Sequence, residues 1–299
     1  MDPDHRRRLE ANIFPFAHAA IQSWEEFPWH LDGSRHCDSH KPHSSQALAM
    51  DVFGTLAVLD AADRDSILEN LAARIGLPTA GPWSVQLEWS DTQNRLRESG
   101  QQKSQIDAVA VGKRSVIFFE CKFTEENGGK CSQVNPLRSG AHRGLRQCNG
   151  TYSLQVNPAN GRSSRCSLTA KGIRYWELVP SLFELANDVD HSPCPFAGPS
   201  YQWMRNLILA KAVTDDEGKS AAFVITYADS PRLKFPRQLK SPAWDQFMRW
   251  LPSSSVPVVT RSYLELIKEG EGVLSGPGAM VLKDLFVWVE RKIEQACTR

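Results

Sequence analysis

Two apolar runs, 106–111 (IDAVAV) and 115–123 (SVIFFECKF), are separated only by Gly112-Lys113-Arg114. Short runs rich in β-branched and aromatic residues, joined this tightly, read as the two arms of a β-hairpin. With its turn centred on the Lys113–Arg114 bond, the hairpin sets Asp107 directly opposite Glu120. Opposed Cβ atoms lie about 4.5–5.5 Å apart, a separation at which two like charges are destabilising. A divalent cation between the carboxylates removes that penalty. Mg²⁺ suits such a pair, because it takes a few carboxylate oxygens and keeps water for its other positions. Lys122 follows Glu120 by two residues and shares its face, while Cys121 points into the packed side.

The preceding segment WSVQLEW (83–89) alternates, with Trp83, Val85, Leu87 and Trp89 on one side and Ser84, Gln86 and Glu88 on the other. That pattern is a strand with one buried face, and it makes Glu88 a third acid on the polar side. Leu48, Val52, Leu56 and Leu59 form the stripe of an amphipathic helix. Ser66-x-x-Glu69 reads as a capping box that opens a second helix, which ends at Gly76 with Pro78 just beyond. Residues 137–152 and 201–213 read as helices and 221–227 as a buried strand. A helix over 244–250 and two more in SYLELIKEG and AMVLKDLFVWVERKIEQ follow. Trp203, Trp244 and Trp250 sit among apolar neighbours at helical spacing, which favours core packing over base stacking. The class is α/β, with a small mixed, mostly antiparallel sheet flanked by helices. One domain is expected, made of an N-terminal arm (1–43), a core (44–230) and a C-terminal helical extension packed on it (231–299).

Phosphodiester hydrolysis needs an activated water and a group that stabilises charge on the phosphate. A metal held by Asp107 and Glu120 supplies the first, and the Lys122 ammonium beside it supplies the second. The same three residues also fit a solvated strand end on which a lysine pairs with two acids.

Ile106-Asp107, followed by Phe119-Glu120-Cys121-Lys122 at the end of an apolar strand, resembles the PD-(D/E)xK nuclease superfamily. SSQALAMDVFGTL, a strand ending in Leu87-Glu88, IDAVAV and FFECKFTE are similar, more particularly, to bacterial restriction-endonuclease-like members. The resemblance covers roughly residues 43–230. It implies a restriction-endonuclease-like αβββαβ core and Mg²⁺-dependent cleavage of nucleic acid, with Mn²⁺ as a substitute. It also implies metal ligation by Asp107 and Glu120, with Lys122 beside them. The Pro that usually precedes the Asp is Ile106 here. Members often add an upstream acid and a Gln or Lys on the next helix, for which Glu88 and Gln147 are the matching positions. The expected function is an endodeoxyribonuclease of restriction or other defence type acting on duplex DNA. A non-catalytic nucleic-acid-binding protein on the same fold, or an exonuclease or RNA-processing nuclease, is the open alternative, and a homodimer is left open as well.

Lys and Arg number 35 against 34 Asp and Glu, so the chain as a whole has no electrostatic pull on nucleic acid. The distribution is uneven, however. Residues 127–176 hold Lys130, Arg138, Arg143, Arg146, Arg162, Arg165, Lys171 and Arg174 and no acid. On the expected helix, Arg138, His142 and Arg146 form one stripe with Arg143 and Gln147 beside it, a surface for a phosphate backbone. A solvated basic face balanced by acids elsewhere fits the same run.

Seven cysteines, no CxxC pair and no apolar leader in the first residues point to a reduced, cytoplasmic protein, and no run is apolar enough for a membrane span. His30, His36, Cys37, His40 and His43 cluster without zinc-finger spacing. Cys131, Cys148, Cys166 and Cys194 are separated by 16, 17 and 27 residues. Those intervals match no ligand pattern for an iron–sulfur cluster or zinc, so neither is expected.

Overall fold

Strand β3 (Ser115–Lys122) is buried at every position. A nearly unbroken apolar run takes that place when it lies mid-sheet with both faces covered. The computed structural model describes residues 2–31, 38–98, 103–148, 150, 166–185, 194–251 and 256–298. His36, Cys37, Arg162 and Arg165 lie outside the described residues. With β1 (Ser84–Ser90), β2 (Gln105–Val111), β4 (Ser220–Tyr227) and β5 (Val258–Ser262), β3 forms a sheet of order β1-β2-β3-β4-β5. β1, β2 and β3 pair antiparallel, whereas β3, β4 and β5 pair parallel. The sheet is therefore mixed in equal parts, not mostly antiparallel. Its fifth strand closes the Pro-rich stretch after residue 228, where no strand was expected.

Helices α1 (Pro3–Ala11), α2 (Ser45–Ala49), α3 (Thr55–Val58) and α4 (Ala61–Arg74) precede the sheet. A π-turn, Met50–Gly54, joins α2 to α3. Helices α5 (Ser167–Ala170), α6 (Tyr175–Leu182) and α7 (Tyr201–Glu217) lie between β3 and β4. Helices α8 (Phe235–Gln238) and α9 (Pro242–Arg249) follow β4, and α10 (Tyr263–Glu271) and α11 (Pro277–Cys297) follow β5. One core joins Phe53, Leu68, Phe119, Val224, Tyr263 and Leu285 on one face of the sheet. The other joins Phe118, Phe223, Trp203, Leu207, Trp244 and Phe247 on the opposite face. The tryptophans of α7 and α9 are thus core residues. No described helix is long and apolar enough to cross a membrane.

The two ends of the chain meet on the first face. Leu9, Ile13 and Ala17 are fully buried there. Lys292 on α11 donates to Asn12 O at 2.6 Å and to Asp51 Oδ2, in the π-turn, at 2.5 Å. Burial presses both members of the Asp51–Lys292 pair toward their neutral forms, and each opposes that shift in the other.

Two local expectations fail for identifiable reasons. Helix α4 starts five residues before Ser66, where Asp60 Oδ1 accepts from Ala62 N at 2.9 Å. Ser66 lies inside the helix and its hydroxyl bonds back to Ala62 O, the alternative use of a helical serine. Residues 137–148 are not helical either. Pro136 and Arg146 form an isolated bridge, and Leu137 N donates to Leu145 O at 3.0 Å. Gly140 and Gly144 have φ of +83° and +82°, a conformation glycine takes freely and a helix does not contain. The segment is an irregular hairpin on which Arg138, His142, Arg143 and Arg146 are exposed, with no helical stripe.

Candidate active site

The β2–β3 ladder pairs Ala108 with Phe119, Val109 with Phe118 and Val111 with Val116. That register is centred on the Lys113–Arg114 bond, so one step further Asp107 stands opposite Glu120. On the other side of β2, Leu87 pairs with Ala108 and Trp89 with Ile106, which sets Glu88 opposite Asp107. The three acids form a row across β1, β2 and β3. Neither step of the row is a regular ladder pair. Glu88 has φ +48°, a left-handed backbone that is uncommon for a non-glycine residue. The strands change sides at this kink. Leu87 and Ala108 pack in the first core, and Trp89 and Ile106 in the second. The expected single face of Trp83, Val85, Leu87 and Trp89 therefore breaks at Glu88, and all three acids line one cleft of about 540 Å³.

Glu120 and Lys122 are held by α7. Glu120 Oε1 accepts from Lys122 Nζ at 2.5 Å, and Oε2 accepts from Asn206 Nδ2 at 2.6 Å. Lys122 Nζ also donates to Gln202 Oε1 at 3.2 Å. Cys121, between them, packs in the opposite core, and its amide donates to Asp107 Oδ2 at 2.6 Å. Glu88 Oε1 accepts from Gln46 Nε2 of α2 at 2.6 Å. Its Oε2 is buried without a hydrogen-bond partner, and His30 Nε2 lies 3.9 Å away. Sequence reasoning missed Gln46, Gln202 and Asn206. The signal was available in YQWMRNLIL, where Gln202 and Asn206 are polar residues four apart beside Trp203, Met204 and Leu207, on a helix that leads into a buried strand.

Burial, then the charge of Glu120 and of Glu88, pushes the Asp107 carboxyl well above the ordinary carboxylate range. Burial likewise pushes Glu88 up to about 7, against the Gln46 hydrogen bond and together with Glu120. Burial alone would lower the Lys122 ammonium, but the Glu120 and Asp107 carboxylates hold it up at about 12. Lys122 is therefore a fixed cation at neutral pH. Burial lowers the His30 imidazole despite Asp38 and Glu125 nearby, so this ring is mainly neutral.

The cleft wall also carries Lys103, Lys130, Lys171 and Arg205. Of the eight cations of the 127–176 block, Lys130 and Lys171 reach it. Arg138, His142, Arg143 and Arg146 are absent from its lining, and so is Gln147, which sits in the irregular segment. The position expected of a glutamine on the helix after β3 is taken by Gln202. Among the described residues no three His, Cys, Asp or Glu side chains are gathered into a ready-made metal group. The donors nevertheless suit Mg²⁺ in kind, since it is usually held by one or two carboxylates with water and substrate phosphate completing the shell. Glu88 and Asp107 pushed toward neutrality and an unpartnered Glu88 carboxylate oxygen are what a missing cation would leave.

The family model for the restriction endonuclease associating with ARP matches residues 1–261, and the chain belongs to this restriction-endonuclease-like family. Membership brings a nuclease role. No curated protein matches the chain significantly, and no solved structure does.

Proposed function

We propose that this member of the restriction-endonuclease family is a Mg²⁺-dependent endodeoxyribonuclease of restriction or defence type, with Mn²⁺ as a substitute. The observation that carries the reading is the row Glu88–Asp107–Glu120 lining one cleft, with the buried Lys122 ammonium bonded to its last member. Asp107 and Glu120 are the metal ligands, and Glu88 is a third acid whose Oε2 has no hydrogen-bond partner. Bound there, the cation would polarise the scissile phosphate and lower the pKa of a coordinated water. Lys122 offsets negative charge that grows on the phosphate, acting from a buried position where the Glu120 and Asp107 carboxylates keep it protonated. Gln202 and Asn206 fix the Lys122 ammonium and the Glu120 carboxylate, so neither has to reorganise as charge develops. Lys103, Lys130, Lys171 and Arg205 take the flanking phosphates.

A retired site on a nuclease-like fold has no physical reason to keep three acids facing one another across a kinked strand, so the non-catalytic alternative is the weaker reading. The test is incubation of the purified chain with supercoiled plasmid and with linear DNA in Mg²⁺, Mn²⁺ or EDTA. Nicking or linearisation of closed plasmid with either metal, and none in EDTA, is the expected result. Digestion of linear ends alone would make it an exonuclease, and no cleavage with either metal would remove the assignment.

A further inference from the structure

Cys131, Cys148, Cys166 and Cys194 look scattered in sequence, yet all four line one pocket in the long connection between β3 and α7. None of them is in a disulfide. The rest of the wall is largely apolar, with Leu168, Trp176, Phe196 and Met204, and neither an acid nor a histidine lines it. The Cys148 sulfur accepts a backbone amide: Gly150 N donates to Cys148 Sγ at 3.3 Å. An amide aimed at sulfur stabilises the thiolate over the thiol.

We propose that this pocket is a tetrathiolate site for a thiophilic metal centre, held by Cys131, Cys148, Cys166 and Cys194. Each thiol gives its proton to solvent as its sulfur bonds the metal, and no electron is transferred. The geometry favours a polynuclear occupant. A single tetrahedral ion needs all its sulfurs at about 2.3 Å, and no three such ligands are grouped in that way among the described residues. An iron–sulfur core spreads its four thiolates farther apart.

The centre has a mechanical use. Leu168, Tyr175 and Tyr201 line both this pocket and the active cleft, and Lys130, Ser132 and Lys171 of the cleft wall adjoin Cys131 and Cys166 in sequence or in space. Tying four separated segments together braces a connection whose described helices, α5 and α6, are short.

The test is metal and sulfide analysis of the full chain, purified without oxygen from cells supplied with iron and zinc. The expected result is about two or four irons per chain with equal acid-labile sulfide, and the broad visible absorption of iron thiolates. Both should be lost in Cys131→Ser and kept in Cys297→Ser. One zinc per chain without sulfide would overturn the polynuclear occupant. Wild-type chain carrying neither metal in stoichiometric amount, or Cys131→Ser and Cys194→Ser retaining a full complement, would overturn the site. The wild-type measurement decides even where a cysteine variant fails to fold, and it is read independently of any cleavage.

Discussion

Glu88 and Asp107 face each other across β1 and β2 at a step where the ladder pairing lapses, between Leu87–Ala108 and Trp89–Ile106. Both strands change faces there, so two acids that a regular strand would separate arrive in one cleft with Glu120. The strained φ of Glu88 and the raised pKa values of Glu88 and Asp107 are costs borne by the folded protein. Such costs persist where surrounding structure over-determines the conformation, commonly at functional sites.

The first consequence is a pH dependence of stability. An acid whose folded pKa is raised carries no penalty below its unfolded value, and the full penalty above its folded value. For Glu88 that window runs from 4.5 to about 7, and the raised Asp107 carboxyl adds a penalty of the same sign. In EDTA, Glu88→Gln should match the parent near the bottom of the window and become the more stable protein as pH rises, by on the order of 1–3 kcal/mol. Mg²⁺ should close the gap. Thermal unfolding across pH, with and without Mg²⁺, measures it, and a gap that does not change with pH would contradict the burial of Glu88.

Asn206 acts through Glu120. Removing its amide in Asn206→Ala leaves Glu120 Oε2 without its protein donor, a loss of about 1–3 kcal/mol for a buried polar group. Turnover should fall with KM little changed, because the lost contact fixes a metal ligand and not the substrate. A rise in KM alone, with turnover intact, would place Asn206 against DNA and not behind the carboxylate.

The reach of the sequence varies between elements. The hairpin register was legible because a tight turn and two apolar arms leave one way to pair, and the observed ladder has that register. Most helices were legible from their stripes and β4 from its apolar run. The β1 kink was not, because WSVQLEW alternates cleanly and nothing local marks the reversal at Glu88. The helix expected over 137–152 is absent over 137–148 because Pro136, Gly140 and Gly144 outweigh the basic spacing. Gln202 was passed over because the resemblance calls for a glutamine on the next helix and the helix expected over 137–152 offered Gln147, whereas the chain reaches the site again only with α7.

Lys122 is nearly buried beside Glu120, with both side chains 6% exposed. Lys122→Met should reduce turnover far more than DNA affinity, since one ammonium among several cations adds little binding but sits where charge develops. In EDTA the variant should also lose about 3–5 kcal/mol, because Glu120 is left buried without its counter-charge, and Mg²⁺ should restore part of it. Equal losses in binding and turnover would make Lys122 an ordinary phosphate contact.

The cations that reach the cleft should carry the phosphates, not those on the exposed hairpin. Each phosphate neutralised adds about 0.9 to the slope of log K against log salt on duplex DNA. In a cleavage-deficient Asp107→Ala background, Lys103→Ala with Lys130→Ala should flatten the slope by about 2 units. Arg138→Ala with Arg143→Ala should leave it unchanged. The reverse pattern would move the DNA path out to the hairpin.

The most direct test is plasmid cleavage in Mg²⁺ by Asp107→Ala beside the parent, with thermal unfolding of both in EDTA. The variant should lose at least about 100-fold in rate while unfolding at a temperature no lower than the parent's, because a buried acid facing two others has been removed. Glu120→Ala is the less clean variant, since it strands the Lys122 ammonium. Folded Asp107→Ala cleaving DNA at the parental rate would contradict the assignment of the three-acid row as the catalytic metal site.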